Sequence, residues 1–144
     1  MAVTAKAYGP LLGALLSGSI VWASDTIKVA LCTSAYTPDQ DNHDFFNDVT
    51  NEVTGTGYTA GGATLASKTS TYTAGTNTQA IDAADVTWGS STITARYAVI
   101  YKSTGTAATS PLIGYVDFGA DVVSSAGNFT ITWDAAGILT LTAA

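Results

Sequence analysis

The sequence predicts a mainly β protein, an antiparallel two-sheet sandwich or flattened barrel with a short N-terminal helix and one further short helix. The first observation behind this is Thr92–Ser103, where β-branched and aromatic residues alternate without Gly or Pro. Alternation puts Ile93, Ala95, Tyr97, Val99 and Tyr101 on one face and Thr94, Arg96, Ala98, Ile100 and Lys102 on the other. The second face mixes cations with Ala98 and Ile100, so both faces are expected to be at least partly covered, as in a central strand. The second observation is that the other strand-like segments are short, closely spaced and separated by Gly, Asn and Asp turns. The third is composition: 47% of residues are hydrophobic and 11% charged, where soluble domains average roughly 25% charged. Thr, Ser, Ala and Gly are left to cover the surface, and Thr suits a strand because its methyl packs while its hydroxyl tolerates water. The 144 residues form one predicted domain, 1–144, large enough to bury about two thirds of its unfolded surface without staples.

Residues 1–23 hold Lys6 ahead of the apolar Leu11–Leu16, a weak imitation of a secretory signal. Pro10, Gly13 and Gly18 interrupt the segment and Trp22 crowds the cleavage region, so no signal peptide is expected. No apolar run reaches the roughly 18 residues of a helical membrane span, and a soluble protein is expected. Pro10 suits the first position of a short helix, Leu11, Leu12, Leu15 and Leu16 recur at helical spacing, and Gly18 stands beyond the end. That stripe has two readings: a helix capping the sheet core, or an apolar element offered to a neighbouring subunit.

Ile27–Thr33 follows as a strand with Ile27, Val29 and Leu31 on one side, and Thr37-Pro38-Asp39 turns the chain. A turn or two of helix is predicted next, with Asp41 as N-cap, Asp44 in the first turn, and Phe45, Phe46 and Val49 inward. Ser67–Thr73 and Thr78–Ala83 flank a hairpin turn at Ala74–Asn77, and Asp85–Trp88 reads as a strand ended by a Gly89–Ser91 loop. After a small-residue loop at Thr104–Ser110, Leu112, Gly114, Val116 and Phe118 are expected on one face, with Asp117 within reach of Arg96 if the strands pair antiparallel. Phe129, Ile131 and Trp133 alternate inward, and the segment is expected to turn through Asp134–Gly137 into a terminal hairpin with Ile138–Thr142.

The chemistry-bearing residues exclude more than they assign. A net charge of −6 with five scattered cations fits neither nucleic acid nor an anionic membrane. The lone Cys32 lies in an apolar strand and reads as a buried hydrophobe, consistent with synthesis in a reducing cytoplasm. Asp39, Asp41, His43 and Asp44 in the acidic segment 39–48 alternate loosely like a calcium loop but lack its central Gly and terminal Glu, so turn capping is preferred and no metal or cofactor is expected. Gly55, Gly57, Gly61 and Gly62 have neither the spacing nor the Lys of a phosphate loop. With one His and no placed base, catalysis is not expected. Trp22, Trp88, Trp133 and seven Tyr leave open a glycan- or receptor-binding surface.

Several stretches together carry a resemblance: Ala2–Lys6 with Tyr8, Asp25–Val29, Leu31 with Thr33–Asp41, Asn51–Val53, Gly55–Gly62, Asp85–Trp88, Ile93–Tyr97 and Pro111–Phe118. In this order they are similar to a family of small tailed-bacteriophage structural proteins described as minor capsid, decoration, head-fibre or tail proteins. The resemblance spans nearly the whole chain and transfers no catalytic residue. It implies a virion component, most simply a capsid decoration or minor capsid protein in multiple copies or as a homo-oligomer. The implied partners are the major capsid protein or other virion proteins, with Leu11, Leu12, Leu15 and Leu16 as the candidate interface. The alternative is a tail or tail-fibre protein with a receptor- or glycan-binding role.

Overall fold

The computed structural model describes residues 2–143. In order the chain forms β1 (Thr4–Ala7), α1 (Leu11–Leu16), β2 (Ile27–Cys32), a 3-10 turn at Phe46–Asp48, β3 (Ala63–Thr64), β4 (Thr69–Thr73) and β5 (Thr78–Asp82). Then come β6 (Val86–Lys102), a second 3-10 turn at Ala107–Thr109, β7 (Leu112–Ile131) and β8 (Leu139–Thr142). All pairings are antiparallel. One sheet runs β1-β7-β6-β2-β3 and the other β4-β5-β8, so the predicted two-sheet β architecture holds.

The main core lies between the sheets. Val29, Leu31, Ile93 and Ile100 from the large sheet meet Leu65 and Ile81 beneath the small one, and burying each such side chain contributes about 1.5–3 kcal/mol. A second core sits on the opposite face of the large sheet, where Ala30, Cys32, Val99, Tyr101 and Leu112 pack under Tyr8, Tyr36 and Phe46. Phe46 stacks on Tyr101 with centroids 3.9 Å apart. The second half of the central strand is thus covered on both faces, whereas in the first half, where the sequence also predicts cover on both faces, Thr92 and Thr94 are exposed.

The predicted face assignment of that strand does not survive along its length. Ile93 and Ala95 share the main core with Ala98 and Ile100, whereas Tyr97, Val99 and Tyr101 belong to the second core. The cause is a register shift between Ala95 and Tyr97. Ala95 lies opposite Val122 but Tyr97 lies opposite Asp117, so β7 makes a longer excursion than β6, and an unequal count of residues reverses which side chains face inward. Gly119, at φ +81°, provides the turn inside this excursion. A second shift, between Ile100 and Tyr101, moves Leu112 to the second core while Val116 and Phe118 stay with the first, correcting their expected common face.

Three further expectations change. Gly89–Ser91 is not a loop but an irregular stretch within the 17-residue β6; Ser91 is buried there and bonds to Ser124 Oγ at 2.8 Å. Phe129–Trp133 and Ile138–Thr142 do not form a hairpin, because β7 pairs with β6 while β8 crosses to β5. The acidic segment forms a 3-10 turn at Phe46–Asp48 rather than a helix capped by Asp41. Asp39 accepts the N–H groups of Asp41 and Asn42, and Asp48 those of Asp44 and Phe45. Short aspartate side chains close such local turns without a helix.

Candidate functional site

The leucine stripe forms as expected, a six-residue helix behind Pro10, with Gly18 beyond its end at φ +73°. Its residues divide. Leu11 is buried and Leu15 packs partly against the main core, whereas Leu12 is 56% exposed and Leu16 90%. The half-exposed Val21 (47%) follows in the loop to β2. Asp25 fixes that loop by accepting the Val21 N–H at 2.6 Å and pairing with Lys102 at 3.0 Å. Burial raises the Asp25 pKa, but these two partners outweigh it and leave the carboxyl below its ordinary value. The core reading therefore holds for Leu11 and Leu15, while Leu12 and Leu16 lie on solvent-facing apolar surface.

The Gly-rich segment has a structural task. A side chain at Gly55 would meet Thr92 O at 2.3 Å, and one at Gly62 would meet Val29 O at 1.9 Å, so only glycines let this loop lie against β6 and β2. Glu52 Oε1 accepts from Tyr58 Oη and Gly61 N, both at 2.6 Å, and Tyr58 Oη lies 2.9 Å from the Leu31 N–H that it accepts. Burial, reinforced by the bond to Glu52, pushes the Tyr58 hydroxyl far above its ordinary range. This network fastens the loop against the sheet.

Sequence reasoning missed a chain of ring polar groups on the second core. Tyr8 Oη lies 2.8 Å from Tyr36 Oη, which lies 3.1 Å from His43 Nδ1. Tyr8 lies 28 residues before Tyr36, so only its isolation beside Gly9-Pro10 could have marked it. Burial raises the Tyr36 pKa to about 12, so the chain carries neutral hydroxyls at ordinary pH. Cys32 is fully buried, and its thiol is pushed up to about 12 by burial and then by Glu52, a setting that keeps it inert. Among the described residues, no group of three or more His, Cys, Asp or Glu is placed to hold a metal ion, and no helix is long and apolar enough to cross a membrane.

Arg96 and Asp117 meet as expected, through Nε–Oδ1 at 2.5 Å and a second contact of 3.3 Å. They sit where the strand changes faces, and the Arg96 hydrogen bond holds the Asp117 carboxyl below its ordinary value. Trp22 and Trp88 are buried, and Trp133 is half-buried with Nε1 donating to Ala84 O.

Fold and surface together define a two-sheet antiparallel β domain with an apolar patch on its N-terminal helix. The chain matches no protein-family model, no curated protein and no solved structure.

Proposed function

We propose that this protein is a non-enzymatic structural component of a tailed-bacteriophage virion, a decoration or minor capsid protein docked on the outer capsid surface through α1. The observation that carries this reading is the exposure of Leu12 and Leu16 on a helix whose other leucines anchor it to the core. An apolar patch held on a fixed support binds with little ordering cost. The low-charge surface adds to this, since few charges need desolvation at repeated contacts. The family resemblance supplies the virion context and the capsid proteins as partners. A tail-fibre role in glycan recognition would draw on exposed aromatic platforms, and burial of Trp22 and Trp88 takes two of the three tryptophans from it.

The test is the double variant Leu12→Asp, Leu16→Asp mixed with purified particles. Because both side chains face solvent, the variant should fold normally by circular dichroism while losing at least about tenfold in particle binding. A folded variant that binds like the parent sinks the proposal. Cryo-electron microscopy of particles carrying the chain locates it: density repeating over the capsid lattice agrees, and density confined to the tail overturns the head assignment.

A further inference from the structure

The acidic segment 39–48 brings the single histidine of the chain against the tyrosines of the second core, and the hydrogen bonds there have a fixed direction. A main-chain N–H can only donate. The Asp39 N–H reaches His43 Nδ1 at 3.4 Å, so Nδ1 holds a lone pair and the ring proton sits on Nε2. Tyr36 Oη, 3.1 Å from the same nitrogen, must then donate to it. With its proton committed, Tyr36 accepts from Tyr8 Oη at 2.8 Å. The order is Tyr8 to Tyr36 to His43, and every hydrogen has an acceptor. Tyr8 and Tyr36 are each 1% exposed, and Tyr8 Oη has no other partner among the described residues.

This chain fastens a cover. Gly9 N–H donates to Gln40 O at 2.8 Å and Gln40 Nε2 to Ala7 O at 2.9 Å, which ties residues 36–44 to the end of β1. Tyr36 meets Tyr97 edge-on and Tyr8 packs on Tyr115, with the fully buried Cys32 in the same cluster.

A proton added to Nδ1 reverses the order. The nitrogen becomes a donor, the Asp39 N–H loses its acceptor, and Tyr36 must accept instead. Tyr36 then turns its own hydrogen toward Tyr8, whose O–H is left buried without an acceptor and bears the full desolvation cost of an unpaired donor. The surrounding charges do not oppose protonation. Asp39 and Asp48 face the ring, with Asp41 and Asp44 beside it in the chain. Hydrogen bonds, from Asn42 to Asp39 and from the Asp44 N–H to Asp48, hold the two facing carboxyls below their ordinary value, and His43 adds to each. Both therefore stay ionised in mild acid. The sheet side presents Tyr8, Tyr36, Tyr115 and Cys32, all raised chiefly by burial and so uncharged.

We propose that His43 is the trigger of a pH-sensitive latch: neutral, it holds residues 36–44 closed over the second core, and protonated, it releases them. The sign follows from the direction of the chain. The closed cover takes only the neutral ring without stranding a hydroxyl, whereas the lifted loop takes either form. Closure is therefore kept above the range in which histidine changes charge, about pH 5 to 8, and is lost as pH falls through it. Neither the virion reading nor the α1 patch enters this inference.

The test is amide hydrogen exchange by NMR at about pH 7.5 and about pH 5, expressed as protection so that the intrinsic pH dependence of exchange cancels. Labelling of Cys32 by an aromatic disulfide that reacts in acid, scaled to an unstructured thiol peptide, is the second readout. In the parent, Gly9 protection should fall at least about tenfold in acid and Cys32 labelling should accelerate with it. His43→Asn keeps an oxygen acceptor facing Tyr36 and takes no proton, so protection should be the same at both pH values. Two further variants separate the latch from general weakening in acid. Tyr8→Phe leaves the reversed chain with a stranded Tyr36 O–H instead, so the fall should persist. Tyr36→Phe strands the Tyr8 O–H at either pH, so protection should already be low at neutral pH and change little. The ring nitrogen shifts of the parent need no variant and should show the lone pair on Nδ1 at neutral pH. A proton on Nδ1 there, an equal fall in His43→Asn, or unchanged Gly9 protection in the parent overturns the proposal.

Discussion

The two ends of the β6–β7 hairpin are built from similar residues and live in different surroundings. From Tyr97 to Tyr101 the hairpin is the middle of a three-layer stack, with apolar cover on both faces. From Val86 to Ala95 it is the wall of a two-layer sandwich, where Val86, Trp88 and Ile93 face inward and Thr87, Thr92 and Thr94 face water. The difference teaches that alternation reports how many faces are covered only while the register holds. At Arg96 and Asp117 it breaks, and one strand passes from serving one core to serving two.

The comparison is most easily broken through the cover of the doubly packed end. Gly62→Ala places a Cβ against the Val29 carbonyl at a residue with φ +73°, and should cost about 4 kcal/mol or more in a denaturant titration. A loss below about 1 kcal/mol would mean that the loop lifts off without consequence. Ile100→Ala in the same end should cost about 2–5 kcal/mol. Its counterpart on the open face of the other end, Val123→Thr at a 64% exposed position, should stay within about 0.5 kcal/mol. Similar costs at the two sites would erase the distinction between the ends. The smallest effect concerns the junction. Because the folded pKa of Asp117 is lowered below 3.8 by Arg96, this pair adds stability above that pH and loses it as pH falls through the lowered value. Asp117→Asn should therefore show a shallower acid loss than the parent in urea midpoints measured from neutral pH downward, and an identical slope would show that the pair is idle.

Local chemistry was legible in the sequence. Helical spacing behind Pro10 located α1, the Ala74–Asn77 turn located the β4–β5 hairpin, and opposite charge located the Arg96–Asp117 contact. What alternation conceals is register. Alternation through Phe118–Asp121 does not declare that β7 spends several residues where β6 spends one, which reverses the expected face of Tyr97, and the second shift, at Ile100–Tyr101, is equally silent about Leu112. Partner choice was hidden for the same reason: Ile138–Thr142 is strand-like whichever neighbour it takes, and Asp134–Gly137 turns it toward β5 as readily as toward its own predecessor. The site was half legible. Spacing grouped the four leucines, but their division into anchors and exposed residues depends on how α1 sits against the core, which a single helical stripe cannot state.

The place of β1 in the sheet also sets an order of events during synthesis. Its residues leave the ribosome well before their partners Gly114–Asp117, which follow roughly a hundred residues later, and ladder pairing at such separation is slow. Until that stretch emerges β1 has nothing to join and stays open to wrong neighbours. Of the strand pairs in the molecule, β1 with β7 thus spans the longest stretch of chain and is the one most exposed to mispairing.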